Sequence, residues 1–304
     1  MSRRSVNLTG ARWVAVAGVA ALTIIVVALA ALALQRSRGE TATQPNPVPS
    51  FTLGVTTPTP TPTSEAPSPA SATSRADERF LATGGAVWWR GVAGECGVTE
   101  PLIERSDDGG VTWADVTPRY LGIGQILGLS AFTAADAEMV AAVGPACEVQ
   151  ALRTYTEGQF WEPYPEVLAV SRYVDPADPS VVIFSGEPVP APCPAPTGLR
   201  ASGDTAALIC DGVARVRTGA EWAALAPSGV AALTLVGSDV LLAHSDAACE
   251  GTAVSRVAES DPAGAQLVGC AAGTDPTALA ALTTINGDVA VWSGETILVL
   301  ESVM

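Results

Sequence analysis

The sequence predicts an all-β domain that follows one transmembrane helix and a Pro/Thr-rich linker. Three observations carry this prediction. From Ala76 to Met304, short apolar runs alternate with Gly, Pro, Asp and Asn, as in a β-sandwich, barrel or propeller. Upstream, Trp13 to Leu34 contains no charged residue, and Thr41 to Ser74 is rich in Pro, Thr and Ser.

The N-terminal segment is predicted to anchor the chain in a membrane. Residues 1–12 carry three Arg and no acidic residue, and the 22 uncharged residues that follow are long enough to cross a bilayer as a helix. We assign residues 13–35 to the span and residues 1–12 to a cytoplasmic tail, although Arg at both ends weakens the orientation signal. A cleaved export signal that ends near Ala31–Ala33 is the alternative.

Residues 36–75 are predicted to be a disordered linker. Eight Pro lie between Pro45 and Pro69, interleaved with Thr and Ser. This composition favours extended polyproline II and cannot bury a core. At about 3.1 Å per residue the linker would reach on the order of 100 Å. O-glycosylation of its Thr residues and an unmodified spacer are both compatible with it.

The segment 76–304 reads as repeated groups of short strands. Apolar runs such as Glu138–Val143, Thr205–Ile209 and Asp288–Trp292 recur along it, with no sustained helical periodicity. One block predicts four consecutive strands, at Gln125–Thr133, Glu138–Gly144, Glu148–Thr154 and Gln159–Tyr164.

A turn motif lies between two predicted strands, with the pattern Ser106-x-Asp108-x-Gly110-x-Thr112-Trp113. Gly tolerates the positive φ of a tight turn, and short polar side chains can bond its amides. The motif resembles the Asp-box (BNR) repeat of β-propellers such as sialidases and photosystem assembly factors. That resemblance implies a propeller with a structural hairpin on its outer rim, away from any active site.

Two weaker copies follow, ending in Thr156-x-Gly158-x-Phe160-Trp161 and Arg217-x-Gly219-x-Glu221-Trp222. The tryptophans are 48 and 61 residues apart, which is blade size or longer. At 40–50 residues per blade we expect about five blades, or six if some blades are short. Because only about three strands follow Thr277, a strand near Phe80 is expected to close the ring. A β-sandwich is the alternative fold.

Six cysteines in an exported domain indicate disulfides, for which 15 connectivities are possible. Closeness in sequence favours Cys193–Cys210 and Cys249–Cys270, which leaves Cys96–Cys147. A zinc site is the rival interpretation, but the chain has no CxxC pair and only one histidine, His244.

The charge balance excludes nucleic acid as a favoured partner. The net charge is −15, and all 16 basic residues are Arg. Phosphate binding needs clustered basic side chains, whereas from Ala76 onward 29 acidic residues face 10 Arg. The lack of Lys, with heavy Ala, Val and Thr use, is typical of a high-GC, actinobacterial-type genome.

No catalytic or metal-binding signature stands out. A sialidase would need an arginine triad and a catalytic Tyr, but nothing in the spacing of Arg153, Arg172 and Arg200 singles them out. A Ser-His-Asp hydrolase would have to use His244, but the chain has no G-x-S-x-G motif to supply the serine. The segment Asp107-Asp108-Gly109 lacks the other ligands of a calcium loop. We therefore expect no catalytic, cofactor or metal residues.

Two adjacent tryptophans, Trp88 and Trp89, could form a sugar-stacking surface, but neighbouring strand residues point to opposite faces. At least one of these two rings is therefore expected in the core.

The sequence thus predicts a single-pass membrane protein with an extracytoplasmic β-propeller. Its expected role is a non-catalytic binding or scaffolding module for another envelope protein or a wall glycan. The alternatives are a sialidase-like, glycan-acting hydrolase and a membrane-complex assembly or sensor factor.

Overall fold

The computed structural model describes residues 75–301, which form a six-bladed β-propeller. Each blade is an antiparallel meander whose first strand lies innermost. Blades 1 and 2 have four strands each: β1 Arg79–Gly84, β2 Val87–Val92, β3 Leu102–Ser106 and β4 Ala114–Asp115, then β5 Ile123–Ala131, β6 Ala137–Val143, β7 Glu148–Thr154 and β8 Glu162–Pro163.

Blade 3 has three strands, and blade 4 has four: β9 Arg172–Val174, β10 Val181–Phe184 and β11 Glu187–Pro190, then β12 Thr197–Ser202, β13 Thr205–Cys210, β14 Val213–Thr218 and β15 Glu221–Ser228. Blade 5 again has four and blade 6 three: β16 Val230–Val236, β17 Asp239–Ser245, β18 Gly251–Val257 and β19 Ala265–Ala272, then β20 Ala280–Ile285, β21 Asp288–Ser293 and β22 Thr296–Leu300. One short helix, α1 Pro165–Leu168, and 3-10 turns at Arg75–Asp77 and Arg119–Leu121 complete the described elements.

The favoured number of five blades was wrong; the ring has six, which is the alternative expected if some blades are short. The estimate assumed blades of 40–50 residues. Blades 3 and 6 lack a fourth strand, and β4 and β8 contain two residues each, so the blades are shorter than assumed.

The expected closing strand near Phe80 was also wrong, because β1 pairs with β2 inside blade 1 rather than with blade 6. The ring closes by packing. Leu81 and Trp88 of blade 1 form a buried cluster with Ala281, Ala290 and Trp292 of blade 6. The Thr83 hydroxyl adds a 2.9 Å hydrogen bond to the carbonyl of Thr284.

Alternating side chains fill the interfaces between blades. In β14, Ala214 and Val216 point towards blade 5, while in β13 Ala206 and Leu208 point towards blade 3. Buried clusters of this kind join blades 1 and 2, 3 and 4, 4 and 5, 5 and 6, and 6 and 1. Among residues 75–301, no such cluster joins blades 2 and 3.

The six cysteines form Cys96–Cys147, Cys193–Cys210 and Cys249–Cys270, the pairs that sequence proximity favours. Cys96 and Cys147 lie in the loops between the second and third strands of blades 1 and 2, so this disulfide joins two blades. The other two close shorter loops, of 17 and 21 residues in sequence separation.

None of the helices between residues 75 and 301 has the length and apolar character that a bilayer crossing requires. The predicted span at 13–35 and the linker, apart from its last residue Arg75, lie outside the described residues.

We expect the disulfide between blades to stabilise the fold more than the one inside blade 5. In the chain-entropy model each disulfide contributes about 2–4 kcal/mol, and a longer loop contributes more. The separations are 51 residues for Cys96–Cys147 and 21 for Cys249–Cys270, which predicts a difference of roughly 0.8 kcal/mol.

The measurement is urea denaturation of two matched double variants, Cys96→Ser/Cys147→Ser and Cys249→Ser/Cys270→Ser. The first should unfold at the lower urea concentration. If the two variants unfold at the same urea concentration, or in the reverse order, the disulfide between blades 1 and 2 does not stabilise the fold more than the one inside blade 5.

Candidate functional site: the cleft between blades 2 and 3

The hairpin between β3 and β4 is held by its own polar side chains. One carboxylate oxygen of Asp108 accepts from the Thr112 amide at 2.8 Å, and the other accepts from the Thr112 hydroxyl at 2.6 Å. Ser106 Oγ accepts from the Gly110 amide at 2.8 Å, and Gly110 has a φ of 90°. The indole N–H of Trp113 donates to the Gly110 carbonyl at 3.0 Å, which fixes the ring over the turn.

The β7–β8 hairpin of blade 2 repeats this network without the aspartate. Thr154 takes the place of Ser106 and accepts from the Gly158 amide at 3.1 Å. Thr156 takes the place of Asp108 and accepts from the Phe160 amide at 2.9 Å. The Trp161 indole donates to the Gly158 carbonyl at 3.1 Å, so the degenerate motif forms an equivalent hairpin.

The tryptophan of each hairpin packs back onto the preceding blade. Trp161 meets Trp89 of blade 1 edge to face, with ring centroids 6.2 Å apart. Trp222 meets Phe184 of blade 3 in the same way, also at 6.2 Å. Trp113 packs against the cluster that contains Trp292 of blade 6. These contacts cover the outer part of the preceding blade's face.

In the third copy, blade 4 replaces the two capping residues with Arg215 and Arg217. Within residues 75–301, neither residue has a carboxylate within ion-pair distance, and the Nε of each is buried without an acceptor. Arg217 instead lies over the Phe184 ring at 4.6 Å. The hairpin thus keeps its tryptophan but loses the polar network of the turn.

Blade 3 has no third-to-fourth-strand hairpin, so the face of blade 2 that points towards it stays open. A cleft of about 260 Å³ remains there. Its lining comes from β5 and β6 of blade 2, from the segment after α1, and from β12 of blade 4. The polar groups around the cleft include Ser130, Glu138, Ser171, Arg172 and Arg200.

An aromatic patch continues from the cleft over blade 2. We define it as Phe132, Tyr155 and Tyr164, arranged around Arg153. The Arg153 guanidinium lies 5.6 Å from the Phe132 ring and 5.1 Å from the Tyr164 ring, and it donates to the Tyr155 hydroxyl at 3.2 Å. Tyr155 and Tyr164 meet edge to face at 6.1 Å.

Glu138 joins the patch to the cleft. Its carboxylate accepts from Arg153 Nε at 3.1 Å, and the same residue lines the cleft. The hydrogen bond with Glu138 is also the largest cause that raises the pKa of Arg153, followed by the bond with Tyr155. The pKa of Tyr164 is raised, mainly by the neighbouring Tyr155 hydroxyl. The patch is therefore a linked, charged-and-aromatic network.

The three arginines considered for a carboxylate-binding triad border this one region but do not converge. Arg153 on β7 is paired with Glu138 on β6, and Arg172 lies beside the Phe184 ring at 5.8 Å. Arg200 is used structurally, because it binds Glu78 at 3.3 Å and donates to the Arg79 carbonyl at 2.8 Å. Burial lowers the pKa of Arg200, and Glu78 opposes this shift.

The ring centre, where inner strands meet, offers little space. Arg200 and Glu78 sit beside a cavity of about 40 Å³, room for a water or two.

A wider hollow of about 360 Å³ lies against blades 4, 5 and 6, and Asp211 is its one titratable lining residue. A third hollow of about 410 Å³ is bordered by Glu95 and Glu100 on the disulfide loop, without an aromatic or Arg lining.

The remaining residues singled out in the sequence are structural. His244 is buried, with Nε2 2.9 Å from Ser255 Oγ and Nδ1 3.1 Å from the Ser245 carbonyl. Because His244 is 2% and Ser255 4% exposed, no substrate reaches this pair.

Trp88 and Trp89 are both buried, on opposite faces of blade 1, so they form no sugar surface. Within the described part of the chain, no group of acidic, His or Cys side chains could hold a metal ion.

No protein-family model and no curated protein matches this chain. Similar solved structures include YCF48 from Cyanidioschyzon merolae, with 14% identity over 73% of this chain and 66% of that chain and a TM-score of 0.30. An arabinanase of Bacillus subtilis has 11% identity over 72% and 92%, with a TM-score of 0.34. A Hadza microbial sialidase has 14% identity over 74% and 58%, with a TM-score of 0.31.

This chain therefore spans less than two thirds of the YCF48 and sialidase chains. The likeness concerns the fold at most, and the chemistry of the site follows from this chain's own residues.

The hairpin of blade 1 should show a distinctive pH dependence. Hydrogen bonds with Thr112, then Ser106, lower the pKa of Asp108 from 3.8 to about 2. A lowered pKa in the folded state contributes stability above pH 3.8, which is lost as the pH falls towards 2. The difference in melting temperature between wild type and Asp108→Asn should therefore be constant from pH 5 to 7 and should shrink steadily as the pH falls from 4 through 2.

The matched control is Asp204→Asn, because Asp204 lies in the β12–β13 turn and, among residues 75–301, its carboxylate holds no turn amide. A pH-independent effect of Asp108→Asn would contradict the proposed role of its carboxylate.

Proposed function

We propose that this chain is a non-catalytic binding module of the cell envelope, and that the cleft between blades 2 and 3 is its binding surface. The observation that carries the proposal is the cleft with its adjoining aromatic patch. It combines open apolar rings, hydrogen-bonding side chains and a concave wall, which is the usual makeup of a ligand site.

A binding role is better supported than hydrolysis in this cleft. Glycoside hydrolysis ordinarily needs two carboxyl groups on opposite sides of the scissile bond. Glu138 is the one carboxylate that lines the cleft, and Arg153 already engages it. A glycan-acting hydrolase remains the second candidate, with Glu95 and Glu100 as the paired carboxylates to test.

An extracytoplasmic location is consistent with the disulfides. Three disulfides and no free cysteine within the described residues are typical of an oxidising compartment. We further propose that residues 13–35 anchor the chain and that residues 36–75 serve as the stalk. We interpret the hairpin at 106–113 as an Asp-box turn, supported by its hydrogen bonds and by the equivalent hairpin in blade 2.

The anchor proposal predicts that the full-length chain stays in the membrane pellet after alkaline carbonate extraction. Protease added outside intact cells should degrade the propeller, whereas a tag placed before Ser2 should be protected. If the signal is cleaved instead, mass spectrometry will show a mature chain that begins after Ala33 and is released by carbonate.

The binding proposal predicts that blocking the cleft lowers attachment to the envelope. Val170 borders the cleft and is 64% exposed, so Val170→Arg should fold normally while it fills the opening. Sedimentation of the purified domain with isolated envelope material from the native host would measure the apparent Kd. We expect a loss of at least tenfold.

The control is Val98→Arg, because Val98 is similarly exposed at 75% but borders the hollow of blade 1. Equal binding by Val170→Arg and wild type would contradict the proposal. Release of reducing sugars by the wild type that is lost in Glu95→Gln/Glu100→Gln would favour the hydrolase instead.

A further inference from the structure

The exposed aromatic residues are concentrated on blade 2. Within residues 75–301, the four aromatic side chains that are largely exposed are Tyr120, Phe132, Tyr155 and Phe160. Three of them belong to blade 2, and two belong to the aromatic patch beside the cleft. Exposed apolar groups gathered in one place mark an interaction surface more often than scattered ones do.

The rings of the patch are held in place before any ligand arrives. Arg153 contacts Phe132 and Tyr164 through its guanidinium, and it donates to the Tyr155 hydroxyl. Glu138 in turn fixes Arg153. A site whose side chains are already ordered loses less conformational entropy on binding. The patch therefore presents aromatic ring faces and the hydrogen-bonding guanidinium of Arg153 together in a fixed geometry.

This combination matches the two sides of a sugar ring. The C–H face of a pyranose or furanose is apolar and can stack on Phe132 or Tyr155, while its hydroxyls can bond polar side chains at the cleft. Glu138 and Arg153 retain accepting and donating capacity, and Ser130 and Ser171 add hydroxyls at the cleft. Aromatic side chains with a polar tip suit such half-apolar ligands.

Charge favours an uncharged saccharide. The chain carries a net charge of −15, which opposes the approach of a polyanion at long range, and two arginines near the cleft, Arg153 and Arg200, are already paired with Glu138 and Glu78. Nucleic acid and strongly acidic polysaccharides are disfavoured for this reason. The volume of about 260 Å³ is small, and the cleft opens to solvent, so it would hold a short stretch of a longer glycan.

We propose that the cleft and aromatic patch between blades 2 and 3 bind a neutral glycan, with sugar rings stacked on Phe132 and Tyr155 beside the Arg153–Glu138 pair. This inference rests on the proposed binding function and specifies its ligand class.

The test is affinity electrophoresis of the 75–301 domain in native gels that contain one soluble polysaccharide each. The probes are neutral arabinan, galactan, mannan and β-glucan, with polygalacturonate as the acidic counterpart. We expect at least one neutral probe to retard the wild-type domain. Tyr155→Ala should weaken this binding at least tenfold, whereas Tyr155→Phe, which keeps the ring, should retain most of it.

Leu267→Ala is the matched control, because Leu267 is 64% exposed on blade 5 and should leave retardation unchanged. Circular dichroism and melting temperature establish that each variant folds. Failure of every neutral probe, full binding by Tyr155→Ala, or preference for polygalacturonate would overturn the inference.

The result also separates the two proposals. If no neutral probe binds but Val170→Arg still lowers envelope attachment, the cleft binds a partner other than a neutral glycan. In that case the ligand assignment fails and the binding function stands. If Val170→Arg has no effect either, both proposals fail.

Discussion

The packing of a hairpin tryptophan against the preceding blade determines which faces of this propeller are covered. Trp161 reaches back to Trp89, and Trp222 reaches back to Phe184, each at a centroid distance of 6.2 Å. Large aromatic side chains bury much apolar area, and edge-to-face pairs add to that stabilisation. In blades 1 and 2 the polar residues of the turn hold the backbone of the hairpin that carries the tryptophan, whereas Trp222 of blade 4 makes its contact without such a network.

The cleft lies where one blade lacks the hairpin that carries this tryptophan. Blade 3 ends at β11 and has no hairpin to reach back over blade 2, so the outer face of blade 2 stays exposed. Blade 6 also lacks a fourth strand, but there Leu298 and Leu300 of β22 pack into the cluster shared with blade 5. A missing strand therefore opens a surface only where the remaining strands leave it uncovered. The proposed glycan site uses this uncovered face of blade 2, where Arg153 rather than a neighbouring blade holds the rings.

The strands within one blade could be predicted from the sequence more accurately than the number of blades or the way in which the ring closes. The four strands expected between Gln125 and Tyr164 correspond to β5–β8 within a few residues, because their apolar alternation and turn residues agree locally. The number of blades depended on an assumed blade length, which the truncated third and sixth blades do not obey. Ring closure could not be predicted from local pattern, since it depends on packing between Trp88 and Trp292 across the whole domain.

The cleft itself was not predicted, although the sequence carries one signal for it. Five prolines alternate from Pro188 to Pro196, and each lacks the N–H that a further strand would need. A fourth strand in blade 3 is thereby disfavoured. What the sequence could not reveal is that Arg153 would gather Phe132, Tyr155 and Tyr164, because that grouping arises only when β5, β7 and the residues after β8 are brought together.

The central claim is that the uncovered face of blade 2 is the ligand-binding surface. Hydrogen–deuterium exchange of the 75–301 domain, with and without glycan extracted from the native envelope, tests it most directly. We expect slower exchange confined to residues 130–138, 152–156 and 164–172. Slower exchange at the ring centre or at the 95–100 loop, with no change on blade 2, would contradict it.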